Sequence, residues 1–197
     1  MNKLFYKHYV FLEKITDQIK TNLLKFENIN IIINIDSIDL QSLKNESAII
    51  RFAKKNQIPL LFKNDFRRCI KYDGDGVFID SNNKKLVRPI LLKKKILIVG
   101  SVHNQMEYFV KLKQNCRIIM LSPIFSNPKY SKNKILDVIK YNLISLNWKV
   151  ITCALGGINF KNFRKIKCTR SNQVGFIRAI KNPSAQCADG WFKNFYF

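Results

Sequence analysis

The chain has 197 residues, with 35 Lys plus Arg against 13 Asp plus Glu, a formal charge of +22, and it is 47% hydrophobic and 12% aromatic. That apolar content excludes a disordered polymer, and 7 Gly with 5 Pro exclude a collagen-like or linker-like one. The charge raises nucleic-acid binding as a function, but it is spread along the chain rather than gathered in an arm, and Ile, Lys, Asn and Phe, residues of A/T-rich codons, crowd the whole sequence.

Taken in chain order, short apolar runs alternate with longer amphipathic ones. His8 precedes a first strand-like run at 9–12. A helix follows at 17–26, with Ile19, Leu23, Leu24 and Phe26 on one side. A second run, 29–35, leads to a helix at 38–55 that carries Leu40, Leu43, Ile50 and Phe52 between Lys and Glu. Runs at 59–62 and 76–79 bracket a short helix at 65–71. Another helix is predicted at 84–92, where Pro89 ends or kinks it, and Lys93, Lys94 and Lys95 read as its C-terminal turn. The run 96–100 is followed by a helix at 104–114 with Met106, Phe109, Val110 and Leu112 as its apolar side. The run 117–121 passes through a long loop, 122–130, to the clearest helix, 134–146, with Ile135, Val138, Ile139, Leu143 and Ile144 at helical spacing. Runs at 150–155 and 174–177 flank a helix at 159–167, and a short turn follows Arg178.

Val/Ile/Leu-rich runs without clean alternation are strands buried on both faces, as in parallel sheets. Eight β/α units with no intervening linker predict one α/β domain over residues 1–197, a small single-domain (β/α)8 TIM barrel; a doubly wound sheet of five or six strands is the alternative. The tail 182–197, with Trp191, Phe192, Phe195, Tyr196 and Phe197, is too aromatic to stand free in water. It is expected to pack on the barrel or at a partner's surface, such as a second copy in a homodimer. Cys69, Cys116, Cys153, Cys168 and Cys187 are odd in number and lack CxxC spacing, which predicts free thiols and no structural zinc. No stretch reaches the roughly 18 apolar residues of a membrane span, and no apolar leader segment is evident, so a cytoplasmic protein without membrane association is expected.

In such a barrel, chemistry gathers at the C-terminal ends of the strands. Those ends carry Asn34 and Asp36, Asn64 and Asp65, Asp80 to Asn83, Ser101 and His103, the loop 122–130, Gly156 and Gly157, and Gly175. The strongest local signal is Ala154-Leu155-Gly156-Gly157-Ile158-Asn159, two glycines that follow an apolar strand and are predicted to open a helix. Glycine lets backbone N–H groups approach an anion, a helix N-terminus adds partial positive charge, and the loops after strands seven and eight are the usual phosphate site of a barrel. The plainer alternative is a tight βα turn. Asn64 and Asp65 offer oxygen ligands for Mg²⁺ or, more simply, a helix N-cap. Lys129 either clamps an anionic leaving group or stands solvated in its loop. His103 reads first as a capped structural residue.

From about Ile58 to Ile180 these pieces together resemble the thiamine phosphate synthase family, including its relatives the TenI-type thiazole tautomerases. The segment Phe62-Lys63-Asn64-Asp65 is similar to the family's I-N-D, and 74–81 to its A-D-G-V-H-x-G-Q. Ser101-Val102-His103 is similar to the end of G-x-S-x-H, Ser122-Pro123-Ile124-Phe125 and the residues after it to G-P-[IV]-F-x-T-x-T-K, and Gly156-Gly157-Ile158 with Asn162 to the G-G-I and its downstream Asn. The resemblance implies a TIM barrel that joins hydroxymethylpyrimidine diphosphate to a thiazole phosphate, releasing diphosphate by a dissociative route with Mg²⁺. It implies Asn64, Asp65 and Ser101 near the diphosphate, with Asp65 on the metal. His103, Asn127 and Lys129 lie in matching substrate segments, Ser101 and Lys129 being the catalytic candidates. Gly156 and Gly157 would bind the thiazole phosphate, and Gly175, Ile177 and Arg178 would complete that pocket.

The chain departs from the family's pattern at named positions. Asn34-Ile35-Asp36 stands for the Q-x-R that contacts the diphosphate, so a cation has become an anion. Phe78 replaces a His, Asp80-Ser81 replaces Gly-Gln, and Asn83 falls where the second Mg²⁺-binding Asp is found, with Asp80 the candidate substitute. Asn127-Pro128-Lys129-Tyr130 stands for T-x-T-K, and Pro123 occupies the position of the tautomerase His. Three readings follow: a divergent thiamine phosphate synthase; a synthase-like barrel that keeps the phosphate pocket and takes another phosphorylated heterocycle; and a basic nucleic-acid binder, which no recognition helix, RNP motif or aromatic-basic platform supports.

Overall fold

The computed structural model describes residues 7–36, 39–86, 96–126, 131, 134–159 and 161–177. Its elements are β1 (Lys7–Leu12), α1 (Asp17–Leu24), β2 (Ile29–Ile33), α2 (Leu40–Lys55), β3 (Leu60–Lys63), α3 (Phe66–Lys71), β4 (Gly76–Ile79), β5 (Leu97–Val102), α4 (Gln105–Lys113), β6 (Ile118–Leu121), α5 (Asp137–Ser145), β7 (Ile151–Leu155), α6 (Phe163–Ile166) and β8 (Gln173–Phe176). All eight strands pair in parallel in chain order, and β1 closes on β8 through Lys7↔Gln173 to Val10↔Phe176. The closed (β/α)8 barrel therefore holds, and the open-sheet alternative falls.

Alternation along each strand divides the core in two. Tyr9, Phe11, Ile32, Leu61, Phe78, Val99, Met120, Cys153 and Leu155 fill the barrel. Their neighbours Val10, Leu12, Ile31, Ile33, Leu60, Phe62, Val77, Ile79, Ile98 and Val102 face the helices. Both sets are buried, which is why the strands read as unbroken apolar runs.

Local sequence sets the helix ends. Thr16, Asp39, Asp65 and Asn104 cap α1 to α4, each accepting from the backbone N–H three residues on. Gln57, Asp73 and Asn115 take positive φ after α2, α3 and α4, and the next residue's N–H bonds back to Ala53, Cys69 and Lys111, so each of these helices closes in a Schellman turn.

The structure corrects several expectations. His8 lies within β1, buried, with Nδ1–H donating to Glu27 O at 3.2 Å. Burial holds its imidazole down to a pKa of about 4. Lys84, Lys85 and Leu86 are not helical, and the rest of the predicted helix at 84–92, with Lys93 to Lys95, lies outside the described residues. On α4 the buried side is Tyr108 and Lys111, while Met106 and Phe109 are exposed. On α5 it is Tyr141 and Ser145, while Ile139 and Leu143 are exposed. Cys69, Cys116, Cys153 and Cys168 are free thiols; Cys187 and the aromatic tail lie outside the described residues. Among the described residues no helix is long and apolar enough to cross a membrane.

Candidate functional site

The ends of β3 and β4 carry a cluster joined side chain to side chain. Asn64 takes φ 53° directly after β3, and its N–H bonds Phe78 O at 2.7 Å, which locks the two strand ends together. Asn64 Nδ2 donates to Asp80 Oδ2 at 2.8 Å, and Asn64 Oδ1 accepts from Asp80 N and from Asn83 Nδ2, each at 3.1 Å. Asn83 N donates to Asp80 Oδ1 at 2.9 Å. Asp65 uses Oδ1 to cap α3 through Arg68 N at 2.9 Å, so the simpler of its two sequence readings is realised.

A cation stands one strand over from Asp36, at the end of β3. Lys63 Nζ sits 2.6 Å from Asp36 Oδ2. Leu61 points into the barrel and Phe62 toward the helices, so alternation turns Lys63 toward the barrel mouth. Its side chain is largely buried, whereas that of Asp36 is 73% exposed.

The carboxylate oxygens of Asp65 and Asp80 are of the class Mg²⁺ takes, and Mg²⁺ commonly uses one or two carboxylates plus substrate phosphates and water; both lone pairs of Asn64 Oδ1 are engaged by Asp80 N and Asn83 Nδ2. Each Asp80 carboxylate oxygen accepts a single hydrogen bond in this cluster and keeps a further lone pair. The donor set therefore fits the metal, although no group of three His, Cys, Asp or Glu exists to hold it unaided among the described residues.

Ser101 is buried near the end of β5, and alternation with Val99 turns it inward. His103 follows the strand, and its backbone N–H and Nδ1 both meet Glu107 Oε2, at 2.8 and 3.1 Å. Glu107 thereby ties His103 to the first turn of α4.

The ends of β6, β7 and β8 are built from backbone instead. Gly156 and Gly157 both take positive φ, 91° and 71°. A Cβ on Gly157 would collide with Phe125 O and lie 2.6 Å from Ser126 O, and one on Gly156 would lie 2.9 Å from Pro123 Cα. The β6 loop is thus laid against the glycine turn, with Phe125 N–H on Gly156 O at 3.1 Å. Asn162 Nδ2 holds Gly157 O at 2.8 Å. The glycines do not open a helix: α6 begins only at Phe163 and is a single turn, because Asn159 and Asn162 bond each other's backbone in between. Any anion site here rests on the turn's backbone and not on a helix dipole. Gly175 lies in β8, where a Cβ would meet Leu155 Cδ1 at 2.7 Å, and Ile177 follows half-exposed. Asn127, Lys129 and Arg178 lie outside the described residues.

The fold thus brings Asn64 and Asp80 together, pairs Gly175 with Leu155, the residue before the Gly156–Gly157 turn, and sets His103 on Glu107. Sequence reasoning missed Lys63, whose signal was its phase on β3, and Lys111, a lysine on the core-facing side of α4.

A family model described as thiamine monophosphate synthase matches residues 29–180. The thiamine-phosphate synthase of Prochlorococcus marinus is 30% identical over 117 residues, 57% of this chain and 33% of that protein. That of Syntrophomonas wolfei is 28% identical over 130 residues, 64% of this chain and 62% of that protein. The chain thus spans a third and just under two thirds of these two relatives. A thiamine phosphate pyrophosphorylase from Pyrococcus furiosus superposes with a TM-score of 0.72, covering 98% of this chain and 96% of its own, at 15% identity. One from Bacteroides thetaiotaomicron gives 0.61 over 96% and 95% at 14% identity. These two likenesses speak for the fold.

Proposed function

Because the chain belongs to the thiamine monophosphate synthase family, we propose that it condenses hydroxymethylpyrimidine diphosphate with a thiazole phosphate to give thiamine phosphate and diphosphate. The observation that carries this reading is the pairing, at one end of one barrel, of an oxygen-rich cluster with an adjacent lysine and a glycine turn suited to a phosphate.

In this reading the diphosphate lies against Lys63, Asn64 and Asp80. The methylene C–O bond breaks, the electron pair leaves with diphosphate, and the thiazole nitrogen lone pair forms the new C–N bond. Asp65 and Asp80 would hold Mg²⁺, which when bound neutralises charge building on the leaving group. Lys63 adds a cation to the same task, with Asp36 competing for its ammonium. Ser101, inward on β5, is a donor near the diphosphate; Lys129 and Asn127 act from the β6 loop. Gly156, Gly157 and Gly175, with Ile177 and Arg178, orient the thiazole phosphate so that its nitrogen meets the pyrimidine methyl cation left by C–O cleavage before water does. Free thiols at the described cysteines suit a reducing cytoplasm.

The test is direct. Purified protein with both substrates and Mg²⁺ should release diphosphate and thiamine phosphate in equal amounts, and Asp65→Ala should abolish that release. Thiazole phosphate binding without product would favour the second reading, a phosphate-binding barrel acting on another heterocycle. Binding of neither substrate ends both.

A further inference from the structure

Lys111 is a lysine at a core-facing position of α4, and it is fully buried. Its stem crosses the outer face of β5 at Gly100. A Cβ there would lie 2.9 Å from Lys111 Cδ and 2.8 Å from Cys116 Sγ, so the strand has a glycine where the lysine passes. The ammonium then meets three oxygens, one for each of its hydrogens: Asp80 O at 2.6 Å, Asn83 O at 2.8 Å and Gln114 Oε1 at 2.9 Å. Gln114 Nε2 reinforces the same loop by donating to Asn83 O at 2.9 Å and Lys85 O at 2.8 Å.

A buried charge persists only where it is paired and hydrogen-bonded. Here the partners are the carbonyls of the loop that carries Asp80 and Asn83. Those carbonyls turn back toward α4 while the side chains turn the other way, onto Asn64. The arrangement is an oxygen cage of the kind that holds a small cation, with the cation tethered to a helix.

We propose that the Lys111 ammonium is a built-in cation that fixes the loop at 80–85, making Lys111 a positioning residue for the anion site at the ends of β3 and β4. The loop then keeps Asp80 and Asn83 in place whether or not a metal is bound. The anion part of this inference rests on the synthase reading; the loop-fixing part does not.

Lys111→Met keeps the stem and removes the three donors. Amide hydrogen exchange at 80–85 should quicken by about 10-fold or more while the amides of β1, β2, β7 and β8 keep their rates. Inorganic diphosphate with Mg²⁺, measured by calorimetry, should bind about 10-fold or more weakly, as when a supporting partner of a site is lost, with inorganic phosphate binding unchanged. Lys111→Ala opens the stem's path, and n-propylammonium should restore loop protection to it where tetramethylammonium, which has no N–H, does not. Wild-type exchange in the Lys111→Met loop, or equally faster exchange throughout the barrel, would overturn the proposal by leaving Lys111 a packing residue only. If Lys111→Ala does not fold, the Lys111→Met exchange pattern decides alone. If the wild type binds no diphosphate, the synthase reading fails and the exchange pattern still decides the role of Lys111.

Discussion

At the ends of β3 and β4 the site is made of side chains: Asp36 on Lys63, and Asn64 on Asp80 and Asn83. At the ends of β7 and β8 it is made of backbone, with two glycines at positive φ wedged against Pro123, Phe125 and Ser126. The two halves tolerate change differently. A side-chain site can carry its charge on a neighbouring strand, and here Lys63 of β3 stands beside Asp36. A backbone site cannot trade residues in this way, since any Cβ would strike the β6 loop. Departures from the family's pattern fall in both halves, at Asp36, Phe78, Asp80-Ser81 and Asn83 in the side-chain half and at 127–130 in the segment after β6, while Gly156-Gly157-Ile158 itself is intact.

The largest expected effect is in the backbone half. Gly157→Val adds a side chain at φ 71° against Phe125 O. It should cost about 3 kcal/mol of stability, the upper end for an L-residue forced into a strained backbone, and should remove phosphate binding. Denaturant midpoints and a phosphate titration check both. Wild-type phosphate affinity in a folded Gly157→Val protein would show that phosphate does not bind on the glycine turn.

Acid should act next, at the seam between β1 and β8. His8 pairs across to Val174 of β8 and stacks on Phe176. Its folded pKa is lowered to about 4. The unfolded chain takes up the proton near 6.5 and the folded chain does not, so stability falls as pH drops from 6.5 to 4 and levels off below. The shift corresponds to about 3 kcal/mol in all, taking each pKa unit as about 1.4 kcal/mol. The difference in denaturation midpoint between pH 7.5 and pH 4.5 should shrink in His8→Asn.

In the side-chain half, Asp80→Asn keeps the size and removes the charge. Product formation should fall about 10- to 100-fold, the range for loss of one group ordering a metal or anion site, with thiazole phosphate affinity unchanged. A change in thiazole phosphate affinity would show the halves to be coupled. The smallest effect is a gain. Asp36 is exposed, so its ion pair contributes at most about 1 kcal/mol, and Asp36→Ala should leave stability nearly unchanged. Freed from it, Lys63 should bind inorganic diphosphate about 3-fold more tightly, as expected when a competing carboxylate of that worth is removed.

The barrel was legible because each strand is a short Val/Ile/Leu run buried on both faces, and β4 coincides with its predicted run at 76–79. The helix faces on α4 and α5 were not. An apolar count selects Met106, Phe109 and Leu112, yet Lys111 faces inward because its acceptors come from a loop some 30 residues earlier, which no local pattern encodes. On α5, Ser145 faces the core because its hydroxyl returns to Tyr141 O, so a polar residue sits where a leucine is expected. Within the site, the meeting of Asn64 and Asp80 follows from their adjacent strand ends. The role of Lys63 follows only from the phase of β3, and the late start of α6 only from the Asn159–Asn162 turn.

The most direct measurement is a crystal structure of the protein with Mg²⁺, inorganic diphosphate and the thiazole phosphate together. Diphosphate should lie against Lys63, Asn64 and Asp80, and the thiazole phosphate on the N–H groups of the Gly156–Gly157 turn. Diphosphate on the glycine turn, or neither anion at the barrel mouth, would contradict this arrangement.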